Sequence, residues 1–499
     1  MDVFANLTIG FGVALTAQNL LYCFTGVFLG TLVGVLPGIG PVTTVAMLLP
    51  ISFTLPPVSA MIMLAGIYYG AQYGGSTTAI LVNIPGEASS VVTTIDGHQM
   101  ARQGRAGPAL GIAAIGSFFA GCVATLLICV AAPPLAAIAL NFGPAEYFSL
   151  MVCGLIAAVV LARGSVVKAI GMVVLGLLLG LVGNDINSGV RRFTFGARGL
   201  ADGIEFVALS MAIYGIAEVA YNLEKKAGQA DVMSRIGRVW PAWADIRHCI
   251  PSILRGTALG TLLGVLPGGG ALLAAFGAYT LEKKVARHPR TFGHGDIRGV
   301  AAPESANNAG AQTSFIPMLT LGIPSNPTMA MMIGAMMIHG ISPGPRVMTD
   351  RPELFWGIIA SMWIGNLMLV VLNLPLVGMW VKLLRIPYRL LFPAIIGFCC
   401  IGAFAVNGNA SDVLVMAFFA IFGYLCLKLD CEPAPLILGF VLGPLMEENL
   451  RRTLLISRGD PMVFVEEPIS LGFLIVSALL LVVVAAPAIR RKREEALQE

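Results

Sequence analysis

Residues 30–40 read GTLVGVLPGIG and residues 260–270 read GTLLGVLPGGG, so nine of eleven positions agree across an offset of 230 in an otherwise oily chain. The correspondence continues downstream. YYGAQYGGSTTAILVNIPGEASS (68–90) has its counterpart in ANNAGAQTSFIPMLTLGIPSNPT (306–328), with GAQ matching GAQ and Ile84-Pro85 matching Ile323-Pro324. The chain is built twice over. In membrane chains, hydrophobic segments interrupted by Gly and Pro at matching places in two halves point to a binding site near the bilayer midplane.

Composition agrees with a membrane setting. Of 499 residues, 57% are hydrophobic and 12% charged, roughly half the charge of a soluble domain. Apolar runs recur at 107–132, 145–162, 166–183, 204–221, 353–377, 390–406, 411–427 and 468–488. A run of about 20 residues crosses the hydrocarbon core as a helix, and the ten-residue alternation of a transmembrane barrel is absent. The expectation is an all-α integral membrane protein with about ten to twelve transmembrane helices, some broken or re-entrant, because backbone in lipid must satisfy its own hydrogen bonds. Three segments are expected: 1–250 with an N-terminal stretch and the first repeat, 251–448 with the second repeat, and 449–499 with a terminal helix and a basic tail. The start lacks a basic n-region and a small-residue cleavage site, so a retained short helix is expected there. The nine cysteines show no CxxC or Cys/His metal spacing and read as packing residues. A net charge of +4, with basic clusters confined to loops and to Arg490–Arg493, gives no support for nucleic-acid binding.

Lys and Arg placement orients the repeats, since short cytoplasmic loops carry the excess. With the C-terminal tail and the loop of Lys225, Lys226, Arg235, Arg238 and Arg247 in the cytoplasm, Arg102/Arg105, Arg163/Lys168 and Lys382/Arg385/Arg389 fall inside as well. The matched loops are poor in basic residues. The turn at Arg163-Gly164 corresponds to Asn407-Gly408, the Lys382–Arg389 segment to ALNFGPAE (139–146), and the Lys283–Arg298 loop to ISFTLPP (51–57). Equivalent loops on opposite sides define an inverted-topology repeat. Arg191, Arg192, Arg198, Arg451, Arg452 and Arg458 then lie outside, against the trend.

Each half has two Gly/Pro interruptions, which free N–H and C=O groups for a ligand or another helix. Such breaks are tolerated in a membrane around a polar cavity. A helix N-terminus behind a Gly-rich turn suits an anion, and a carboxylate fits that chemistry. Gly38, Gly40, Thr43 and Thr44 in the first half, with Gly268, Gly269 and Gly270 in the second, are the expected helix-tip donors. Ser76, Thr77, Thr78 and Asn83 face Asn307, Asn308, Gln312, Thr313, Ser314, Ser325 and Asn326 as neutral groups that bind carboxylate oxygens without a fixed charge in the bilayer. Ser76, Asn83, Gln312 and Asn326 are also the candidate Na⁺ ligands.

Blander readings stand beside these. Gly26, Gly30 and Gly34, like Gly256, Gly260 and Gly264, have the small-xxx-small spacing of close helix packing. Gly38, Gly40, Gly268 and Gly270 can be plain helix stops. GAQYGGST lacks the Lys of a phosphate loop, so no ATPase is implied. His288 and His294 flank a basic loop and read as solvated. Glu87, Asp96 and Glu304 stay open between proton or cation carriers and exposed loop carboxylates.

At these residues the chain resembles a known family. GTLVGVLPGIGPVTTVAMLLP, the stretch from YYGAQYGGSTT to ARQGRAGPAL, PGGGALLAAF, and ESANNAGAQTSFIPMLTLGIPSNPT to HGISPGP look like the large permease subunit, TctA, of the tripartite tricarboxylate transporters, over about residues 19–450. The resemblance implies a bacterial inner-membrane secondary transporter driven by Na⁺ or H⁺, with no other cofactor and no enzymatic step. It implies a small membrane subunit (TctB-like), a periplasmic solute-binding protein (TctC-like), and citrate or a related carboxylate as substrate. The clustering of the breaks at 36–90 and 266–328, with unbroken helices between, adds the expectation that the part carrying them moves as an elevator against the continuous helices. A carboxylate channel or a polytopic membrane enzyme are the alternatives; the enzyme would need an intramembrane nucleophile, acid pair or metal set, and the channel would equilibrate its substrate without coupling.

Overall fold

The computed structural model describes the whole chain except residues 1–2, 37–38, 84, 88, 163–164, 186–187, 226–238, 267–269, 384–387 and 486–499. Gly38, Gly268, Gly269 and the basic C-terminal tail lie outside the described residues, as do Arg163, Lys226, Arg235, Arg238 and Arg385 of the orienting loops.

Nearly all the described structure is helical. The first group is α1 (Val3–Ala14), α2 (Ala17–Gly34), α3 (Pro41–Ser52), α4 (Pro57–Val82), α5 (Val91–Arg102) and α6 (Ala106–Ala139). Then come α7 (Pro144–Leu161), α8 (Val166–Gly180), a two-residue hairpin of β1 (Gly183–Asn184) against β2 (Arg191–Arg192), α9 (Phe206–Ser210) and α10 (Glu218–Lys225). The second half has α11 (Trp243–Gly264), α12 (Gly270–Val285), α13 (Arg298–Thr313), α14 (Phe315–Leu321), α15 (Pro327–Ile338), α16 (Val347–Asp350) and α17 (Pro352–Asn373). It closes with α18 (Val377–Leu383), α19 (Tyr388–Asn407), α20 (Ala410–Lys428), α21 (Ala434–Ile456), α22 (Val463–Glu466) and α23 (Pro468–Ala485).

Among the described residues, α2, α6, α17 and α20 are long and apolar enough to cross a membrane, and eight further apolar helices are 10–17 residues long. Apolar runs therefore overstate uninterrupted helix. The run at 204–221 contains a π-helical segment, Met211–Ala217, and α4, although 26 residues long, is polar through its GAQYGGSTT stretch. Large apolar side chains lie on the exterior, and a set of polar side chains is buried within a mostly apolar interior. Along α20, Leu414, Phe418, Ile421 and Leu425 are all more than half exposed, while Ser76, Glu304, Asn308 and Gln312 are at most 5% exposed. So many exposed apolar side chains suit a lipid surround.

The chain divides into two compact units. The first comprises Met1–Leu135, Asn222–Leu266 and Gly270–Gly402, and so takes in segments of both sequence repeats. Within it the duplicated glycines repeat one contact. A methyl group on Gly26, Gly30 or Gly34 of α2 would collide with the carbonyls of Met63, Ile67 and Ala71 of α4. One on Gly256, Gly260 or Gly264 of α11 would collide with the backbone of Ala302, Ala306 and Gly310 of α13. Small residues let the two backbones touch, which is how helices bind one another where lipid offers no hydrophobic drive.

The helix ends at the breaks also correspond. α4 stops at Asn83 in the left-handed conformation (φ 58°), and α14 stops at Gly322 in the same region (φ 73°). Left-handed C-terminal caps favour Gly and then Asn, and Pro85 and Pro324 follow each stop. Helices at the breaks also open alike, with Pro at the first position: Gly40-Pro41 opens α3, which precedes α4, and Asn326-Pro327 opens α15, which follows α14.

The second unit comprises Ala136–Tyr221, Pro267–Gly269 and Ala403–Glu499. In it α8 lies against α21, with Gly176 and Gly180 facing the carbonyls of Leu436 and Phe440. Arg192 and Arg451 both reach Glu447, at 2.7 and 2.6 Å, and Arg451 reaches Asp185 at 3.1 Å. Three of the six arginines that run against the charge trend are thus paired with carboxylates, the third being Arg452 with Glu448 at 2.5 Å.

Candidate functional site

The first unit contains two polar stripes that touch at one pair of residues. Tyr68, Gln72 and Ser76 recur every four residues on α4, and Glu304, Asn308 and Gln312 do the same on α13, so each set occupies one helix face. Residues Ser59–Val82 of α4 and Gly299–Thr313 of α13 are buried throughout. The stripes meet where Ser76 Oγ donates to Glu304 Oε2 at 2.6 Å. Thr93 Oγ1, from α5, donates to the other oxygen of the same carboxylate. Glu304 is 1% exposed, and both of these partners are neutral.

The network extends along α13. Asn307 Nδ2 donates to Glu87 Oε1 at 2.8 Å, joining α13 to the loop after α4. Asn308 Nδ2 donates to Ser117 Oγ of α6 at 2.6 Å and to the Glu304 carbonyl at 3.3 Å. Gln312 accepts from Thr125 Oγ1 and donates to Asn366 Oδ1, both at 3.4 Å. Gln72 Oε1, Asn307 Oδ1 and Asn308 Oδ1 are buried without a hydrogen-bond donor. Buried polar atoms are ordinarily satisfied, and each exception calls for an explanation.

Of the expected site residues, Ser76, Asn308 and Gln312 enter this network directly. Asn326 joins it from α15: its Oδ1 caps the helix by accepting from Met329 N at 2.9 Å, and its Nδ2 donates to Tyr68 Oη at 3.3 Å. Ser325 Oγ reaches the Ser314 carbonyl at 3.3 Å. The other hydroxyls are turned to backbone: Thr44 to Gly40 O, Thr77 to Tyr73 O, Thr78 to Val35 O, Thr313 to Ala309 O and Ser314 to Ala311 O. Thr43 is fully buried in the first turn and a half of α3. Gly40 lies close to the carbonyl of Gly86, 3.3 Å from where its Cβ would be, so the tip of α3 approaches the loop after α4. Gly270 starts α12 and packs on Gly264. Asn83 is exposed at the left-handed stop of α4.

The three open carboxylates separate. Glu304 is in the buried stripe, and Glu87 is half-buried beside it. Asp96, fully buried, holds a loop: its Oδ1 accepts from the backbone N–H of Gly293, Gly295 and Asp296 at 2.8–2.9 Å, and its Oδ2 accepts from Tyr279 Oη at 2.9 Å. His288 and His294 are exposed, as a solvated loop requires. Ser117, Thr125 and Asn366 have no motif around them in the sequence, and Thr93 lies within the quoted stretch at 68–110 without being singled out there. Glu304 and Gln72 did carry a signal, one turn from Asn308 and Ser76 respectively.

A sequence model described as the tripartite tricarboxylate transporter TctA family matches residues 20–438. A relative from Agrobacterium vitis, named "Uncharacterized 52.8 kDa protein in TAR-I ttuC' 3'region", is 59% identical over 499 residues, covering 100% of this chain and 99% of its own. A second from the same organism, "Uncharacterized protein in TAR-II ttuC' 3'region", is 58% identical over 240 residues, which is 48% of this chain and 99% of that one. No solved structure matches.

Proposed function

Because the chain belongs to the tripartite tricarboxylate transporter TctA family, we propose that it is the large permease subunit of a binding-protein-dependent secondary transporter for citrate or related di- and tricarboxylates. The observation that carries this reading is the buried polar network around Ser76, Glu304, Asn308 and Gln312, in a unit whose helices α6, α11 and α17 expose Leu126, Leu262 and Leu367 outward and whose helices break in both repeats. Polar groups in a membrane interior are costly and mark substrate or ion paths.

In this reading the tip of α3 at Gly40 and the capped start of α15 at Asn326 supply N–H donors to a substrate carboxylate. The hydroxyl and amide groups of the stripes take the remaining oxygens. The coupling ion, Na⁺ or H⁺, enters with the substrate. A small membrane subunit and a periplasmic solute-binding protein complete the transporter in a bacterial inner membrane, with the C-terminus cytoplasmic. Two inverted repeats exchanging conformations would give alternating access. One compact unit takes in segments of both repeats, as a single moving body needs.

Labelled citrate uptake into proteoliposomes tests this, with the chain and its small subunit, with and without binding protein, and with or without an inward Na⁺ or H⁺ gradient. Accumulation that needs binding protein and a gradient is the expected result. Gradient-independent equilibration would make the chain a channel. No uptake of any di- or tricarboxylate by the folded assembly would refute the proposal.

A further inference from the structure

We infer that Glu304, Ser76 and Thr93, with the amide oxygens of Gln72 and Asn307, form a binding site for a single Na⁺ ion. The inference rests on the transport reading for its purpose, but its grounds are geometric. Glu304 is 1% exposed and its carboxylate is held by two hydroxyls from different helices, Ser76 Oγ on α4 and Thr93 Oγ1 on α5. A buried ionised carboxylate needs a counter-charge to offset its desolvation, and hydroxyl donors supply none.

The surroundings are rich in acceptors. Gln72 stands one turn before Ser76 on the same face of α4, and its Oε1 has no donor. Asn307 stands one turn after Glu304 on α13. Its Nδ2 is committed to Glu87 Oε1 at 2.8 Å, which fixes the amide and leaves Oδ1 without a donor. Both residues are 1% exposed. The Ser76 and Thr93 hydroxyls and Asn307 Nδ2 are already used as donors, which leaves the two amide oxygens as open acceptors. Hydroxyl oxygens keep lone pairs while donating, so Ser76 and Thr93 can ligate without releasing Glu304. Hard oxygen ligands that include a carboxylate suit a small cation, and with Glu87 held next to Glu304 through Asn307 the surroundings favour a cation over an anion. The site joins α4 of the first repeat to α13 of the second, so an occupied ion would tie the polar stripes together beside the proposed substrate position.

The test is Na⁺ binding by the full chain in nanodiscs, read as the thermal unfolding midpoint and as ²²Na⁺ retention. NaCl is compared with KCl and choline chloride at equal ionic strength and pH. Wild type is expected to show a saturable Na⁺-specific rise in midpoint of about 3 °C or more. Glu304→Gln should abolish it. Asn307→Ala, which loses one ligand oxygen, should weaken apparent Na⁺ affinity about tenfold, equivalent to about 1.4 kcal/mol. Equal midpoints in all three salts for wild type would overturn the inference, as would a wild-type Na⁺ response in Glu304→Gln, or stabilisation by acid alone. Neither readout needs substrate or partner. Na⁺ binding without carboxylate uptake would refute the transporter reading alone, and uptake without Na⁺ binding would refute this site alone.

Discussion

Ser76 and Glu304 are 228 positions apart, and a 2.6 Å hydrogen bond joins them in the buried interior. One belongs to the first repeat and the other to the second, so the polar centre of the first compact unit is shared between the two copies. Ser76→Ala leaves Glu304 with one hydroxyl donor instead of two. Uptake per folded protein should fall at least about tenfold, about 1.4 kcal/mol, alongside a loss of stability of about 1.5–3 kcal/mol for the missing hydrogen bond to a charged group. Initial rates normalised to purified protein check this. Uptake at the wild-type rate would remove Ser76 from the site.

Gly30 and Gly260 are equivalent positions at which α2 meets α4 and α11 meets α13. A leucine at either meets backbone, which cannot give way as a side chain tip can. Gly30→Leu and Gly260→Leu should each cost about 3 kcal/mol or more and lower the thermal midpoint. Gly12→Leu, with open space around its Cβ position, should leave it unchanged. Thermal unfolding in detergent separates the three.

Asn83 distinguishes a conformational role from a binding role. Its φ of 58° suits Asn or Gly, so Asn83→Gly should keep stability within about 0.5 kcal/mol, whereas Asn83→Val should lose about 1–2 kcal/mol. Normal uptake by Asn83→Gly would assign this residue to ending the helix and strike it from the binding residues. Reduced uptake at unchanged stability would keep it among them.

Asp96 accepts four hydrogen bonds and ties α5 to the loop at residues 293–296 and to Tyr279 of α12. Asp96→Ala strands those donors, each worth about 1–3 kcal/mol when buried, and a loss of stability of about 3 kcal/mol is expected. Limited proteolysis should then cut within 286–297 in the variant before wild type. Equal cleavage would mean that the loop is held by other contacts.

Much of this architecture is legible along the chain. The duplicated glycines are spaced four apart, and close helix packing follows because nothing larger fits between backbones. The Asn83 and Gly322 stops announce themselves through Pro85 and Pro324. Polar stripes were half-legible: Asn308 and Gln312 stood out by type, but Glu304, embedded in APESANN, reads equally well as a loop carboxylate. Ser117, Thr125 and Asn366 carry no local signal, since a lone hydroxyl or amide in an apolar stretch gains its meaning from the partner across the helix interface.

The sequence by itself determined a twofold-built, helical, membrane-suited chain, because offset identity, helix-breaking residues and hydropathy act locally and need no knowledge of neighbours. Only the tertiary structure decided which of three carboxylates is buried among hydroxyls, which holds a loop, and which polar groups meet across 200 residues. Those outcomes depend on helix rotation and on the contact distance permitted by the glycine stripes, and both are properties of pairs of helices rather than of any one segment.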